Sequence, residues 1–251
     1  MKKTHLIAGL LLSMAVSSCS ERFYGPALYQ NDVQQMIKPH SKDSVKTRLY
    51  GSGTLLMHDN MFNQTDDTKA GLLNIYRSHT VPHFNFSYGV LGFAGTYKEQ
   101  VSAKPAVSNK AFTGFGFNGS ASYYVSTKKT DWRLIGVDMV YTQEGGDYLA
   151  YRRAVANQPD VYSATQAGMF SYGIFSEMLI RLNKDVNIGA KLFINKTTGQ
   201  LVKKDTYNYY GASTSGATIS LGYKMLTGYL TSATSSNLSG GSVQVGLACR
   251  F

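Results

Sequence analysis

Apolar and polar residues alternate with a period of two over much of the chain. In residues 169–182 the even positions are mostly apolar, from Phe170 to Leu182, whereas the odd positions include Ser171, Glu177 and Arg181. The same alternation occurs in 111–125, 186–194, 217–225 and 243–251. A period of two places successive side chains on opposite faces of a β-strand. The pattern therefore predicts an all-β fold whose strands each have one apolar face.

Ten segments carry strand signals, and the lengths of the connections between them indicate the architecture. The segments are 47–57, 70–78, 84–97, 111–126, 132–143, 169–182, 186–196, 216–226, 228–235 and 242–251. Of these, 70–78 and 228–235 are weak, and without them the count is eight. Short and long connections alternate regularly only when all ten are counted, as expected for a membrane barrel. We predict an up-and-down antiparallel transmembrane β-barrel of ten strands, with eight as the alternative; a soluble β-sandwich would show the same alternation.

The two ends of the chain carry recognisable signals. The last strand, 243–251, ends in Phe251 and resembles the assembly signal of Gram-negative outer-membrane barrels. Near the start, two lysines and an apolar stretch precede Val16-Ser17-Ser18-Cys19, which resembles the lipobox of bacterial lipoproteins. That resemblance implies cleavage before Cys19 and acylation of its thiol and amine; an ordinary secretory signal is the alternative. We predict a signal peptide at 1–18, a lipidated periplasmic tether at 19–45 and the barrel at 46–251, with both termini periplasmic.

Charge is sparse but strongly basic. Charged residues make up 16% of the chain, and the formal net charge is +10. Basic residues fall in predicted loops, namely Lys98, Lys104, Lys110, Arg152, Arg153, Lys203 and Lys204. Basic loops on a barrel would meet outer-membrane lipid and its anionic lipopolysaccharide, although general solubility explains them equally well. No nucleic-acid motif is present, so we predict no nucleic-acid partner.

A group of charges is predicted inside the barrel. If the hairpin at 183–185 pairs residue 182 with 186, Glu177 lies directly opposite Lys191 on the inward face. The predicted lumen charges are Arg48, Asp138, Glu177, Arg181, Lys191, Lys224 and Arg250. Charges in a narrow interior need partners, so these residues should form a connected network. We interpret the network as a polar plug, with a gate or an ion path as the alternative.

Candidate catalytic chemistry is weak. His58 and Asp59, together with Asp66 and Asp67, lie in the first predicted outer loop. Ten-stranded outer-membrane proteases use aspartate and histidine at the rim to activate water, but a matching pair on an opposing strand is missing here. No cysteine–histidine spacing resembles a zinc site. We therefore predict no enzymatic activity, no metal and no cofactor.

The leading functional hypothesis is an outer-membrane β-barrel lipoprotein with a structural or accessory role, such as a subunit of a larger assembly. It implies an outer-membrane or periplasmic protein partner. The alternatives are a rim-active enzyme, either a lipid A-modifying enzyme or a protease, and a narrow channel.

Overall fold

The computed structural model describes residues 22–29, 33–39, 46–59, 66–99, 108–159, 161–204, 207–235 and 240–251. Ten strands form a closed antiparallel barrel. They are β2 (Lys46–Asp59), β3 (Asp67–Val81), β4 (Phe84–Glu99), β5 (Ser108–Ser126), β6 (Thr130–Gly145), β8 (Gly168–Arg181), β9 (Val186–Lys204), β10 (Tyr207–Tyr223), β11 (Leu226–Ser235) and β12 (Gly241–Arg250). Outside the barrel wall, β1 (Arg22–Tyr24) pairs in parallel with β7 (Val161–Ser163), and helix α1 (Asp147–Val155) follows β6. No helix in the described ranges is long and apolar enough to span a membrane.

The prediction of ten strands is confirmed, and the eight-strand alternative is wrong. Both weak segments, 70–78 and 228–235, lie within barrel strands. Strand β12 closes the barrel against β2, with Arg250 opposite Tyr50. The connections after β3, β5, β8 and β10 are short, and we call the end of the barrel that carries them the short-turn end. The opposite, long-loop end carries the connections after β2, β4, β6, β9 and β11. Four of them are longer, including the one that contains α1, whereas β9 and β10 are separated by only two residues.

The outer surface of the barrel is apolar, as the alternation predicts. Leu55, Leu73, Leu192 and Ile219 point outward and are each 60% exposed or more. Phe251 is also on the outside, 69% exposed, with its backbone N–H donating to the carbonyl of Leu49 at 2.9 Å. Apolar side chains this exposed around a closed sheet fit a lipid environment rather than water.

The interior differs from the predicted polar lining in the half nearest the long loops. There, Leu56, Leu72 and Phe112 point inward and are fully buried. They belong to an apolar cluster that also contains Leu28 from the N-terminal segment and Tyr148 from α1. In the short-turn half most inward residues are polar, as predicted, although Phe175 and Leu179 also point inward and are buried. The polar residues include Asn74, Ser78, Ser87, Asn118, Ser120 and Ser122.

The segment predicted to be a periplasmic tether lies, where it is described, inside the barrel. Residues 22–29 and 33–39 are mostly buried, and we call them the lumen plug. The physical reason is that inward-facing Leu56, Leu72 and Phe112 need apolar partners, and Leu28 and its neighbours supply them. The missing periodicity in this segment follows from its position, because a chain surrounded on all sides has no face turned to solvent.

Close packing between neighbouring strands provides a test of the fold. Gly89 on β4 lies opposite Tyr76 on β3. A Cβ at position 89 would overlap the carbonyl oxygen of Ile75 and would lie 2.8 Å from the Cα of Tyr76. We expect Gly89→Ala to destabilise the barrel by about 1–3 kcal/mol, because the backbone cannot move aside without strain.

The measurement is the temperature at which the compact, heat-modifiable band is lost on a semi-native gel. Gly71→Ala is the matched control, since nothing lies within 4 Å of a Cβ there. Equal melting of the two variants would contradict the packing described.

Candidate functional site

The start of the lumen plug is held by a carboxylate at the long-loop end. Glu99, the last residue of β4, accepts hydrogen bonds from Arg22 Nη1 at 2.5 Å and from the Tyr24 hydroxyl at 2.6 Å. On its other oxygen it accepts one from Lys110 Nζ of β5 at 2.9 Å. The carboxylate is nearly buried, so two cations and a phenol replace its lost water. Glu99 therefore ties the plug to two strands of the wall.

A second carboxylate, that of Glu144, holds the plug at Ala27. The backbone N–H of Ala27 donates to Glu144 Oε2 at 2.7 Å, and Arg152 Nη2 of α1 donates to Oε1 at 2.8 Å. The carbonyl of Ala27 lies 2.8 Å from His58 Nε2 on β2. Both polar groups of this buried peptide residue are thus satisfied by side chains of the barrel wall, as burial requires.

Helix α1 covers the long-loop end of the plug. It begins after Gly146, whose φ of 103° is a left-handed conformation, and Asp147 and Arg152 lie at the ends that suit the helix dipole. The Tyr148 hydroxyl donates to the carbonyl of Gly25 at 2.9 Å. Burial raises the pKa of the Tyr148 phenol far above its usual range, so this donor keeps its proton. The helix lies in the predicted connection 144–168, where the sequence indicated only a loop.

Burial also raises the pKa of the Tyr151 phenol on the same helix. The ring of Tyr151 lies 3.8 Å from Lys110 Nζ, a cation–π distance, so the lysine contacts both Glu99 and the helix. Helix, plug and wall therefore share one buried polar cluster at this end.

A buried charge network crosses the short-turn half of the lumen. Arg133, fully buried, forms an ion pair with Glu177 on the neighbouring strand. Lys191 Nζ forms another with Asp138 Oδ2 at 2.6 Å. The plug joins through Gln35, whose Nε2 donates to the second oxygen of Glu177 at 3.0 Å. Both oxygens of Glu177 are therefore used, one by the wall and one by the plug.

The last described residues of the plug are fixed by the same half of the barrel. Lys38 Nζ donates to Ser120 Oγ at 2.7 Å and lies 4.7 Å from the Phe175 ring. The backbone N–H of Ile37 donates to the Tyr76 hydroxyl at 2.7 Å. Arg133 Nη2 reaches the carbonyls of Lys38 and Pro39, each at 3.4 Å. A cavity of about 50 Å³ lies beside these residues.

The predicted lumen charges divide into two groups. Asp138, Glu177 and Lys191 lie together in the network, and Glu177 lies opposite Lys191 in the register that the hairpin predicted. Glu177 and Lys191 do not form an ion pair with each other, however. Glu177 pairs with Arg133 and Lys191 pairs with Asp138, both on β6. The remaining four, Arg48, Arg181, Lys224 and Arg250, lie towards the short-turn end, where Arg48 and Lys224 are exposed.

Arg133 is the central residue that the sequence did not reveal. A register irregularity lies between Arg133 and Gly136, so strict alternation counted from Asp138 places Arg133 on the wrong face. The available signal is the pair Leu134-Ile135, which are consecutive, apolar and both exposed. Gln35 and Lys38 were missed for a different reason, because their segment was interpreted as a tether.

The candidate rim residues contribute to structure. His58 contacts the plug, and Asp66 accepts a hydrogen bond from the buried Tyr97 hydroxyl. Asp67 is half-buried, whereas the side chain of Asp59 lies outside the described residues. Within the described ranges, no group of three or more His, Cys, Asp or Glu side chains is placed to hold a metal ion.

Comparison with known proteins gives matches at the level of the fold. No family model matches the chain, and no curated protein matches it either. Among solved structures, Neisserial surface protein A is 10% identical with a TM-score of 0.39, covering 83% of this chain and 99% of its own. The β domain of the Bordetella autotransporter BrkA is 9% identical with a TM-score of 0.49, covering 82% and 99%. The outer membrane protein OprG from Pseudomonas aeruginosa is 12% identical with a TM-score of 0.38, covering 84% and 97%.

Proposed function

We propose that the chain is an outer-membrane barrel lipoprotein that is closed to solutes and has a structural or accessory role. One observation carries the proposal: the N-terminal segment fills the lumen and is bonded to the wall at several depths. Glu99, Glu144 and Glu177 each accept a hydrogen bond from the plug. A barrel filled in this way presents its surface and its loops, and it offers no path through its centre.

The outer membrane is the proposed location because of the barrel's surface and closure. Every barrel strand pairs on both sides, so no open edge meets lipid. Outward Leu73 and Leu192 leave apolar surface that water would disfavour. Acylation of Cys19 is part of the proposal and is supported by the resemblance of residues 16–19 to a lipobox.

The same contacts favour an accessory role over catalysis. In an enzyme of the rim, His58 would need a nitrogen facing substrate or water, but its Nε2 lies against the buried carbonyl of Ala27. Asp66 is almost fully buried beneath Tyr97. These positions support a part in holding the plug, and the proposed function contains no reaction.

Partners are proposed from what the filled barrel leaves accessible. Lys110 and Arg152, two of the loop cations, are turned inward and paired with Glu99 and Glu144. Arg153 remains exposed, with its Nε donating to the carbonyl of Thr165 at 3.1 Å. We retain lipopolysaccharide as the surrounding lipid, and an outer-membrane or periplasmic protein as the partner through which an accessory barrel acts.

Because the plug fills the lumen, we predict that the protein does not conduct ions. We expect the purified protein to give no conductance steps in planar bilayers, because the plug leaves no continuous aqueous path. Deleting residues 22–39 should produce conductance, since the short-turn half is lined by polar side chains. Heat-modifiable migration must first show that the deletion variant is folded. Steady conductance by the unmodified protein would refute the plug.

The central network predicts a large penalty for removing one charge. Glu177→Gln should lower the free energy of unfolding by about 3–5 kcal/mol, because it leaves Arg133 buried without a carboxylate. The chain has one tryptophan, Trp132, beside Arg133, so its fluorescence during urea unfolding in detergent micelles reports the change. Asp185→Asn, in the short turn after β8, is the matched acid-to-amide control. A Glu177→Gln variant as stable as this control would contradict the network.

The accessory role predicts a complex larger than one chain. After mild detergent extraction of outer membranes, we expect the native mass, corrected for detergent, to exceed that of a single chain, whose uncleaved sequence has a mass of 27.5 kDa. Light scattering coupled to size-exclusion chromatography provides the measurement. A single-chain mass both with and without prior chemical cross-linking in the membrane would count against the accessory role while leaving the plug intact.

A further inference from the structure

The lumen plug has a direction, and its first residues lie at the long-loop end. Strand β1 pairs with β7, which lies in the connection between β6 and β8. Arg22 and Tyr24 both bond to Glu99 at the end of β4. The ring of Tyr24 also contacts Tyr151 of α1, edge to face, with 5.3 Å between centroids.

The other end of the plug lies near the short turns. Lys38 bonds to Ser120, in the part of β5 that approaches the turn at 127–129. The carbonyl of Pro39 lies within reach of Arg133, close to the start of β6. The barrel wall then begins with Lys46 of β2, which pairs with Thr80 next to the short turn after β3. The chain therefore passes down the lumen before it enters the wall.

The contacts of the plug with β6 show how much of the barrel's height the plug spans. The plug contacts Glu144 through Ala27 and Arg133 through Pro39, and these two wall residues are eleven positions apart on one strand. Allowing for the bulge, that separation is about 33–36 Å along the strand. With strands tilted by about 40°, it is roughly 25 Å along the barrel axis, which matches the height of the apolar band of such barrels.

We infer that the chain crosses the membrane inside its own barrel, so that Arg22 lies on the face opposite the C-terminus. This inference rests on the proposed outer-membrane location, where short turns face the periplasm and long loops face outward. Arg22 is then at the cell surface. An acylated Cys19 is three residues away, a reach of at most about 11 Å, so its lipid would belong to the outer leaflet. This differs from the sequence-based expectation that both termini are periplasmic.

The charged contacts at the long-loop end hold the first described residues of the plug in place. Arg22 is paired with Glu99, which Lys110 and Tyr24 also contact, and α1 covers the plug from above. A second passage of the chain through the lumen would require space that Leu28 and Tyr29 already occupy within the apolar cluster. These contacts support the inference that Arg22 lies on the long-loop face.

Cysteine accessibility in intact cells tests the inference. A Cys249→Ser parent receives one new cysteine, either Glu21→Cys, Gln158→Cys in the long connection after α1, or Lys128→Cys in a short turn. Cells are treated with a polyethylene glycol maleimide too large to enter the periplasm, before and after permeabilisation. We expect Glu21→Cys to label in intact cells as fully as Gln158→Cys and at least five-fold more than Lys128→Cys. The parent reports any labelling of Cys19 itself.

The outcomes separate the inference from the proposed function. If Gln158→Cys labels in intact cells but Glu21→Cys labels only after permeabilisation, the outward exit is overturned while the outer-membrane barrel stands. If neither loop position labels in intact cells, or Lys128→Cys labels instead, the proposed location or orientation fails and the inference fails with it. Heat-modifiable migration confirms that each variant is folded, and Ser20→Cys serves as the second probe if Glu21→Cys is not.

Discussion

The hydrogen-bond ladder between β12 and β2 is the constraint on which the rest of the structure depends. It runs from Ser242 opposite His58 to Arg250 opposite Tyr50 and removes the two edges that a membrane sheet cannot leave open. Because consecutive strands are antiparallel, closure requires an even number of strands and brings both ends of the wall to the short-turn end. A segment that precedes β2 and contacts the long-loop end must therefore run the length of the lumen. The direction of the plug follows from the closure.

The side chains that line the two halves of the lumen favour one position of the plug along the barrel axis. The long-loop half contains the apolar cluster that receives Leu28 and Tyr29, whereas the short-turn half contains the charge network that receives Gln35 and Lys38. A shift of a few residues along the axis would bring the lysine among apolar side chains and an apolar residue against Glu177. Burying an unpaired charge costs several kcal/mol, so displaced registers are strongly disfavoured. The wall and the plug are thus matched to one another in the order of their residues.

The wall could be predicted from the sequence because its rules are local. Alternation gave the strands, connection lengths gave their number, and one hairpin gave the register of Glu177 against Lys191. The plug could not be found this way, since a chain buried on all sides has no periodicity. Its signal lies in the wall: adjacent apolar pairs such as Leu55-Leu56 and Leu72-Leu73 indicate that both faces of a strand are dry. Arg133 was not predicted to face the lumen, because a register irregularity beside it shifts the alternation.

The buried charges of the barrel nearly cancel one another. Among the described residues, five buried cations, Lys38, Lys110, Arg133, Arg152 and Lys191, lie in an interior that also buries six carboxylates, those of Asp66, Glu99, Asp131, Asp138, Glu144 and Glu177, so the net charge of +10 belongs to the rest of the chain. A gate would need an open state of low cost. Withdrawal of the plug would instead take a hydrogen-bond donor from Glu99, Glu144 and Glu177 together, at three depths. Leaving buried carboxylates without hydrogen-bond donors costs free energy, so these contacts favour a permanently closed lumen over a gate that opens.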